Sequence, residues 1–183
     1  MNLTIDIGNT RTKIALFNGE TFVREEKFEN TDAEHLLNVV KEKEAEGLAF
    51  CSVAAENPLL VEALKQLPYP VLEVKGTTPA PVTVAYRTPE TLGADRLAAV
   101  VGAVTLKPQT DLLVVDAGTC ITYDFVDAAG NYLGGNISPG VEMRLEALHN
   151  CTARLPRIEA DGDTPDIGHD TETAIRAGVV RGI

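Results

Sequence analysis

The chain is short of cysteine, of positive charge and of long apolar runs, and each shortage excludes a class of protein. Its three cysteines (Cys51, Cys120 and Cys151) are widely spaced and form no C-x-x-C pair. That argues against a disulfide framework and a thiolate zinc site, and it fits a reducing cytoplasm. Lys and Arg number 16 against 27 Asp and Glu, a formal net charge of −11. Neutralising phosphates takes clustered cations, so neither nucleic acid nor an anionic membrane surface is expected as a partner. No apolar run approaches the roughly 18 residues that would span a bilayer. The sequence opens directly on a strand-like segment, so no secretory signal is expected. Two nucleotide-binding patterns are missing as well: there is no G-x-x-x-x-G-K-[ST] and no G-x-G-x-x-G, which removes the P-loop and Rossmann readings. What remains is 183 residues, 44% of them apolar, enough for one domain or two small lobes.

Hydrophobic spacing predicts the order of elements. Leu3-Thr4-Ile5-Asp6-Ile7 alternates apolar and polar, Gly8-Asn9-Thr10 is turn chemistry, and Ile14 to Phe17 resumes an apolar run, so 2–28 reads as extended. A helix follows, with Asp32 as N-cap and Ala33, Leu36, Leu37 and Val40 on one face, ending in a solvated Lys41-Glu42-Lys43-Glu44. Leu48 to Val53 reads as a buried strand. Asn57-Pro58 opens a second helix faced by Leu60, Ala63, Leu64 and Leu67, and Val71 to Val74 is a further strand closed by Gly76. Pro79, Pro81 and Pro89 make 75–93 a long loop with one extended piece near Val82–Tyr86; loops of that length in compact domains are usually functional or disordered. A helix from Ala94 to Leu106 turns Leu97, Val100, Val101 and Val104 inward.

The second half begins the pattern again. Thr4-Ile5-Asp6-Ile7-Gly8-Asn9-Thr10 and Val114-Val115-Asp116-Ala117-Gly118-Thr119 both read as strand, Asp at the strand end, Gly in the turn, Thr, then another strand. Each second strand runs into a turn, Asn18-Gly19 in one case and Ala129-Gly130-Asn131 in the other. An internal duplication is expected, with its boundary near 106–111. A helix from Val141 to about Leu148 should follow Gly134-Gly135-Asn136; 150–170 is polar and loop-like; Thr171 opens a last helix. That helix reaches Ile183 with neither cap nor polar tail, so the second lobe is expected to lack elements that the first possesses.

The paired hairpins are the strongest chemical feature. At a tight tip, Gly lets backbone approach a phosphate, and N–H groups and a Thr hydroxyl can donate to its oxygens. A strand-end Asp beside the same phosphates would be repelled unless a cation lay between, which points to Mg²⁺ held directly or through water. Two such loops facing each other would clamp a nucleotide triphosphate. Asp, Gly and Asn also dominate ordinary turns, so one copy alone would say little; two matched copies favour phosphate loops. Lys13 either returns towards the phosphates or is an exposed strand lysine. The second feature is Tyr86-Arg87-Thr88-Pro89-Glu90-Thr91-Leu92-Gly93-Ala94-Asp95-Arg96, a Pro-rich loop delivering an acid to a helix N-terminus. Free N–H groups and the helix dipole stabilise charge on Asp95. It can orient a hydroxyl and accept its proton during phosphoryl transfer, with Arg96 offering a planar fork to a carboxylate or phosphate. Equally, Asp95 can simply cap the helix and pair with Arg96 or Arg87. His149 and Cys151 lack two further ligands for a metal site, and His35 and His169 read as surface residues. Gly134-Gly135 and Pro139-Gly140 suit either tight packing beside a ligand or turns.

Paired Asp-Gly-Thr hairpins resemble the phosphate loops of the actin, sugar kinase and heat-shock ATPase superfamily. Within it, D-I-G-N-T-R-T-K (Asp6–Lys13), G-A-D-R (Gly93–Arg96), D-A-G-T (Asp116–Thr119) and G-G-N-I-S-P-G (Gly134–Gly140), in that order along nearly the whole chain, resemble the type III pantothenate kinases. The resemblance implies an α/β fold of duplicated ribonuclease H-like lobes, the actin-like ATPase fold, at 1–108 and 109–183, with the second lobe incomplete. It implies ATP-dependent phosphorylation of pantothenate to 4'-phosphopantothenate, the first step of coenzyme A synthesis. Asp6, Ile7, Gly8, Asn9, Thr10, Arg11, Thr12 and Lys13 would hold ATP, with Mg²⁺ at Asp6, and Thr119 would touch ATP. Asp95 would accept the proton, while Tyr86, Gly93, Ala94, Asp95, Arg96 and Thr171 would bind pantothenate. Asp116 would coordinate K⁺ or NH₄⁺. A cytoplasmic homodimer with pantothenate near its interface is implied too. The alternatives are a kinase for another small hydroxy acid and a non-catalytic nucleotide-binding regulator; intact Asp6, Asp95 and Asp116 argue against the latter.

Overall fold

The computed structural model describes residues 1–29, 33–41, 45–53 and 58–183. Period-two burial organises its first sheet. Strand β1 (Asn2–Ile7) buries Leu3, Ile5 and Ile7, and β2 (Arg11–Asn18) buries Thr12, Ile14 and Leu16. A turn through Gly19, at φ +59°, leads to β3 (Thr21–Glu29), a largely exposed edge strand rich in charge. Helix α1 (Ala33–Lys41) buries Leu36 and Val40 at a one-turn spacing, and α2 (Pro58–Lys65) buries Leu60 and Leu64 in the same way. Between them β4 (Gly47–Ser52) turns Leu48 and Phe50 into the core and buries Cys51 on its other face, and β5 (Val71–Glu73) completes the sheet. Its order is β3-β2-β1-β4-β5, antiparallel from β3 to β1 and parallel from β1 to β5. Leu3, Ile5, Ile14, Leu36, Val40, Phe50 and Leu64 form the heart of one hydrophobic core.

The remaining elements are β6 (Thr83–Val84), one turn of 3-10 helix (Pro89–Thr91), α3 (Ala94–Leu106), β7 (Leu112–Ala117), β8 (Cys120–Val126), β9 (Asn131–Pro139), α4 (Val141–Asn150) and α5 (Thr171–Val180). The second sheet runs β6-β9-β8-β7, with β6 parallel to β9. By contact the chain divides into two compact units, Met1–Leu112 with Phe125–Gly134, and Leu113–Asp124 with Gly135–Ile183. In the second unit Leu145 of α4 packs with Ile175 and Val179 of α5. Asp170 caps α5 by accepting from the Thr173 backbone, and buried Arg176 donates to Glu159 O, Asp163 O and the Glu172 carboxylate. The polar stretch before α5 is therefore tied down by one buried guanidinium.

Predicted and observed elements agree in order, with three differences. The segment 131–139 is one nine-residue strand, where the sequence offered only turns or close packing at Gly134-Gly135 and Pro139-Gly140. Gly134 sits in it at φ +114°, a conformation that only glycine adopts without strain, so the glycine pair interrupts regular dihedrals without interrupting the strand. The long loop 75–93 contains the 3-10 turn, and its extended piece shrinks to Thr83–Val84. On α3, Leu97 and Val100 are buried as predicted while Val101 and Val104 are only half-buried, and Ala94 and Arg96 join the inner face. The Asp32 cap, the charged end at 42–44 and Asn57 lie outside the described residues. The repeated pattern reappears in topology: β1, β2 and β3 are neighbours in chain order in the first sheet, as β7, β8 and β9 are in the second.

Candidate active site

The first hairpin closes at Gly8, whose N–H donates to Arg11 O at 3.0 Å. A Cβ on Gly8 would lie 3.0 Å from the same oxygen, so the turn is made for glycine. The sequence-predicted stretch Asp6–Lys13 then separates by exposure. Ile7 and Thr12 are buried and belong to the packing, whereas Asn9, Thr10 and Arg11 stand exposed at the tip and Gly8 is half-buried. Asp6 and Lys13 are cross-strand partners, and Lys13 Nζ lies 3.6 Å from Asp6 Oδ2. On the other side Asp6 is in register with Cys51 of β4, whose thiol donates to Asp6 Oδ1 at 3.6 Å.

The helix N-terminus of α3 presents the second carboxylate. Gly93 is its N-cap, and Asp95 Oδ1 accepts the Arg96 backbone N–H at 2.8 Å. A Cβ on Gly93 would run into that same Asp95 oxygen, so the glycine makes room for the acid. Gly76 is constrained likewise: a Cβ there would meet Pro89 O closely and Leu92 O more closely still, fixing the 3-10 turn that leads into Gly93. Arg96 is only 5% exposed, with its guanidinium 5.7 Å above the centre of the Tyr86 ring, a cation–π arrangement. Gly134 borders that ring; a Cβ there would touch it at 3.6 Å. Ala94 is buried as well.

Electrostatics links the two carboxylates. Burial first, then the charge of Asp6 and its hydrogen bond, then the charge of Asp95, push the Cys51 thiol up to about 12, with Lys13 opposing. Helix α3, which opens on Asp95, packs on β4, which carries Cys51 against Asp6, so the hairpin acid and the helix acid belong to one part of the first unit. Sequence reasoning missed Cys51, which it treated only as an unpaired thiol. The available signal was its place on a strand that would lie parallel to β1.

The second unit holds the other predicted residues. Asp116, at the end of β7, is exposed, and so is Thr119. Gly118 N–H donates to Cys120 O at 2.9 Å, and Gly140 N–H donates to Thr119 O at 3.0 Å. A Cβ on Gly140 would run into Gly118 O and Thr119 O, so Pro139-Gly140 is a close-packing element against the turn. Thr171 stands exposed in the first turn of α5. Among the described residues no three His, Cys, Asp or Glu side chains converge as a metal cluster. The donors that are present suit Mg²⁺, which takes one or two carboxylates and completes its shell with water and substrate phosphates.

The family model for type III pantothenate kinase matches residues 2–183. A type III pantothenate kinase of Bacteroides fragilis is 51% identical over 183 residues, all of this chain and 75% of its own length. That of Phocaeicola vulgatus is 48% identical, again over all of this chain and 76% of its own length. Among solved structures, a Campylobacter jejuni protein described as a Baf family transcriptional activator superposes with a TM-score of 0.62 at 23% identity, over 98% of this chain and 74% of that one, which bears on the fold alone. No helix among the described residues is long and apolar enough to cross a membrane. The expected α/β fold holds, with helices on mixed sheets, and the chain belongs to the type III pantothenate kinase family, enzymes that phosphorylate pantothenate with ATP at the entry to coenzyme A synthesis.

Proposed function

We propose that Asp95 is the proton acceptor of this kinase and that the Asp6–Lys13 hairpin receives the phosphates of ATP. The supporting observation is that Asp6 is hydrogen-bonded to Cys51 of β4 and that α3, which opens on Asp95, packs on β4, so both acids belong to one part of the first unit. The pantothenate hydroxyl passes its proton to Asp95 as its oxygen bonds to the γ-phosphorus and the bond to the ADP oxygen breaks. Tyr86, Gly93, Ala94, Arg96 and Thr171 bind the acceptor, with the buried Arg96 guanidinium held over the Tyr86 ring. Asn9, Thr10 and Arg11 contact the triphosphate from the exposed tip, with Gly8 N–H and the flanking Ile7 and Thr12 holding its shape. Asp6 would carry Mg²⁺, which supplies charge neutralisation on the phosphates when bound. Asp116 would hold K⁺ or NH₄⁺, and Thr119 would contact ATP.

Two lobes at 1–108 and 109–183, each carrying one hairpin, and a cytoplasmic homodimer complete the reading. ADP release tests it, measured with pantothenate and with other small hydroxy acids, with and without potassium. The expected result is ADP formation that requires pantothenate and rises with potassium. Preference for a different hydroxy acid would reassign the acceptor.

A further inference from the structure

We propose that Cys51 is a positioning residue for the hairpin carboxylate, its thiol holding Asp6 Oδ1 while Lys13 holds Oδ2. This rests on the reading of Asp6 as a residue that receives ATP with Mg²⁺. Three observations carry it. First, β1 lies between β2 and β4, and Lys13, Asp6 and Cys51 stand side by side across three neighbouring strands. Second, the carboxylate is bracketed, Lys13 Nζ at 3.6 Å on one oxygen and Cys51 Sγ at 3.6 Å on the other. Third, the burial pattern of β4 breaks alternation at this place: Phe50 and Cys51 are buried in succession, 1% and 6% exposed, so the strand is covered on both faces. Helix α3, which carries Asp95, packs on β4.

The chemistry suits a thiol. The terminal torsion of an aspartate is broad and nearly two-fold, so a carboxylate held at one oxygen can still swing. Holding both oxygens removes that freedom and leaves the remaining lone pairs available, since a carboxylate has about four acceptor sites. An aliphatic side chain would give Oδ1 no donor, and a third carboxylate would repel both Asp6 and Asp95. A lysine would bring a second cation and cancel the charge that Mg²⁺ needs. A small neutral donor satisfies all three constraints.

The experiment uses this chain and its Cys51→Ala, Cys51→Ser and Asp6→Asn variants. Calorimetry reads ATP affinity as a function of Mg²⁺, and infrared spectroscopy reads the Cys51 S–H stretch, assigned by its loss in Cys51→Ala. Cys51→Ala should weaken Mg²⁺-dependent ATP binding by about threefold to tenfold, the range of one lost hydrogen bond. Cys51→Ser, equally small but still a donor, should return it to within about twofold. The S–H band should stand at lowered frequency and rise in Asp6→Asn. Equal weakening in the Ala and Ser variants would mean packing alone and overturn the proposal, as would an Ala variant that binds like the unsubstituted chain. If Asp6→Asn leaves Mg²⁺-dependent binding unchanged, or the unsubstituted chain shows none, the assignment of Asp6 falls instead. An S–H band insensitive to Asp6→Asn would sink the pairing itself.

Discussion

Asp6 and Asp116 end strands of the same kind, each followed by a glycine turn, yet β1 lies in the middle of a five-stranded sheet and β7 at the edge of a four-stranded one. The consequences are chemical. A central strand has a lateral neighbour on each side, so Asp6 has Lys13 on one flank and Cys51 on the other. An edge strand offers no such second flank, and Asp116 is exposed. Its turn is braced from elsewhere, by Gly140 against Gly118 and Thr119. One local pattern thus yields two environments, and the strand's place in its sheet decides which groups can set the charge and freedom of the acid.

Substitutions can break or sharpen that contrast. The largest effect is expected at Asp95, carried by the helix that packs on the strand holding Cys51, the partner of Asp6. Asp95→Asn should lower kcat by about 10²- to 10⁴-fold with ATP affinity kept, read by ADP release beside an ATP titration; normal turnover would remove the base assignment. Gly93→Ala, which pushes on the Asp95 carboxylate, should cost up to about 10²-fold in kcat through displacement alone. Unchanged kcat in that variant would mean that the acid's placement is not critical.

For the second hairpin the expected loss is in stability. Gly140→Ala forces a Cβ onto turn carbonyls and should destabilise by about 1–3 kcal/mol, seen as a fall in Tm of roughly 2–4 °C per kcal/mol. Gly118→Ala, whose added Cβ would lie 3.8 Å from Cys120 O, should do much less. Equal losses at the two glycines would contradict the bracing role of Gly140. The smallest effect belongs to the Lys13–Asp6 pair, 44% and 37% exposed. Lys13→Met should change stability by less than about 1 kcal/mol, and unfolding at low and high salt should show the difference fading as screening rises. A larger, salt-independent loss would show that Lys13 is held by packing.

Much of the fold was legible because burial has a period. Leu3, Ile5 and Ile7 announce a strand, Leu36 with Val40 and Leu60 with Leu64 announce helices, and the two Asp-turn-Thr segments announce the repeat of strands neighbouring in chain order. Strand β9 was not legible, since Gly134-Gly135-Asn136 has the local composition of a turn and becomes extended only by pairing in the sheet. The site divides in the same way. Asp6, Gly8, Gly93 and Asp95 could be picked out because turns and helix starts demand particular residue types. Cys51 could not, because its partner lies 45 residues away in the chain. Arg96 was legible as a charge and not as a buried one, since its burial depends on packing with groups such as the Tyr86 ring, ten residues away.

By itself the sequence determined where strands, helices and tight turns form, since those depend on contacts within a few residues and on backbone freedom at single glycines. Only the tertiary structure decided which strand became central, which thiol came to lie beside which carboxylate, and which glycines had to stay bare. Those outcomes depend on lateral pairing and on excluded volume between segments far apart in the chain, where no local spacing carries the information.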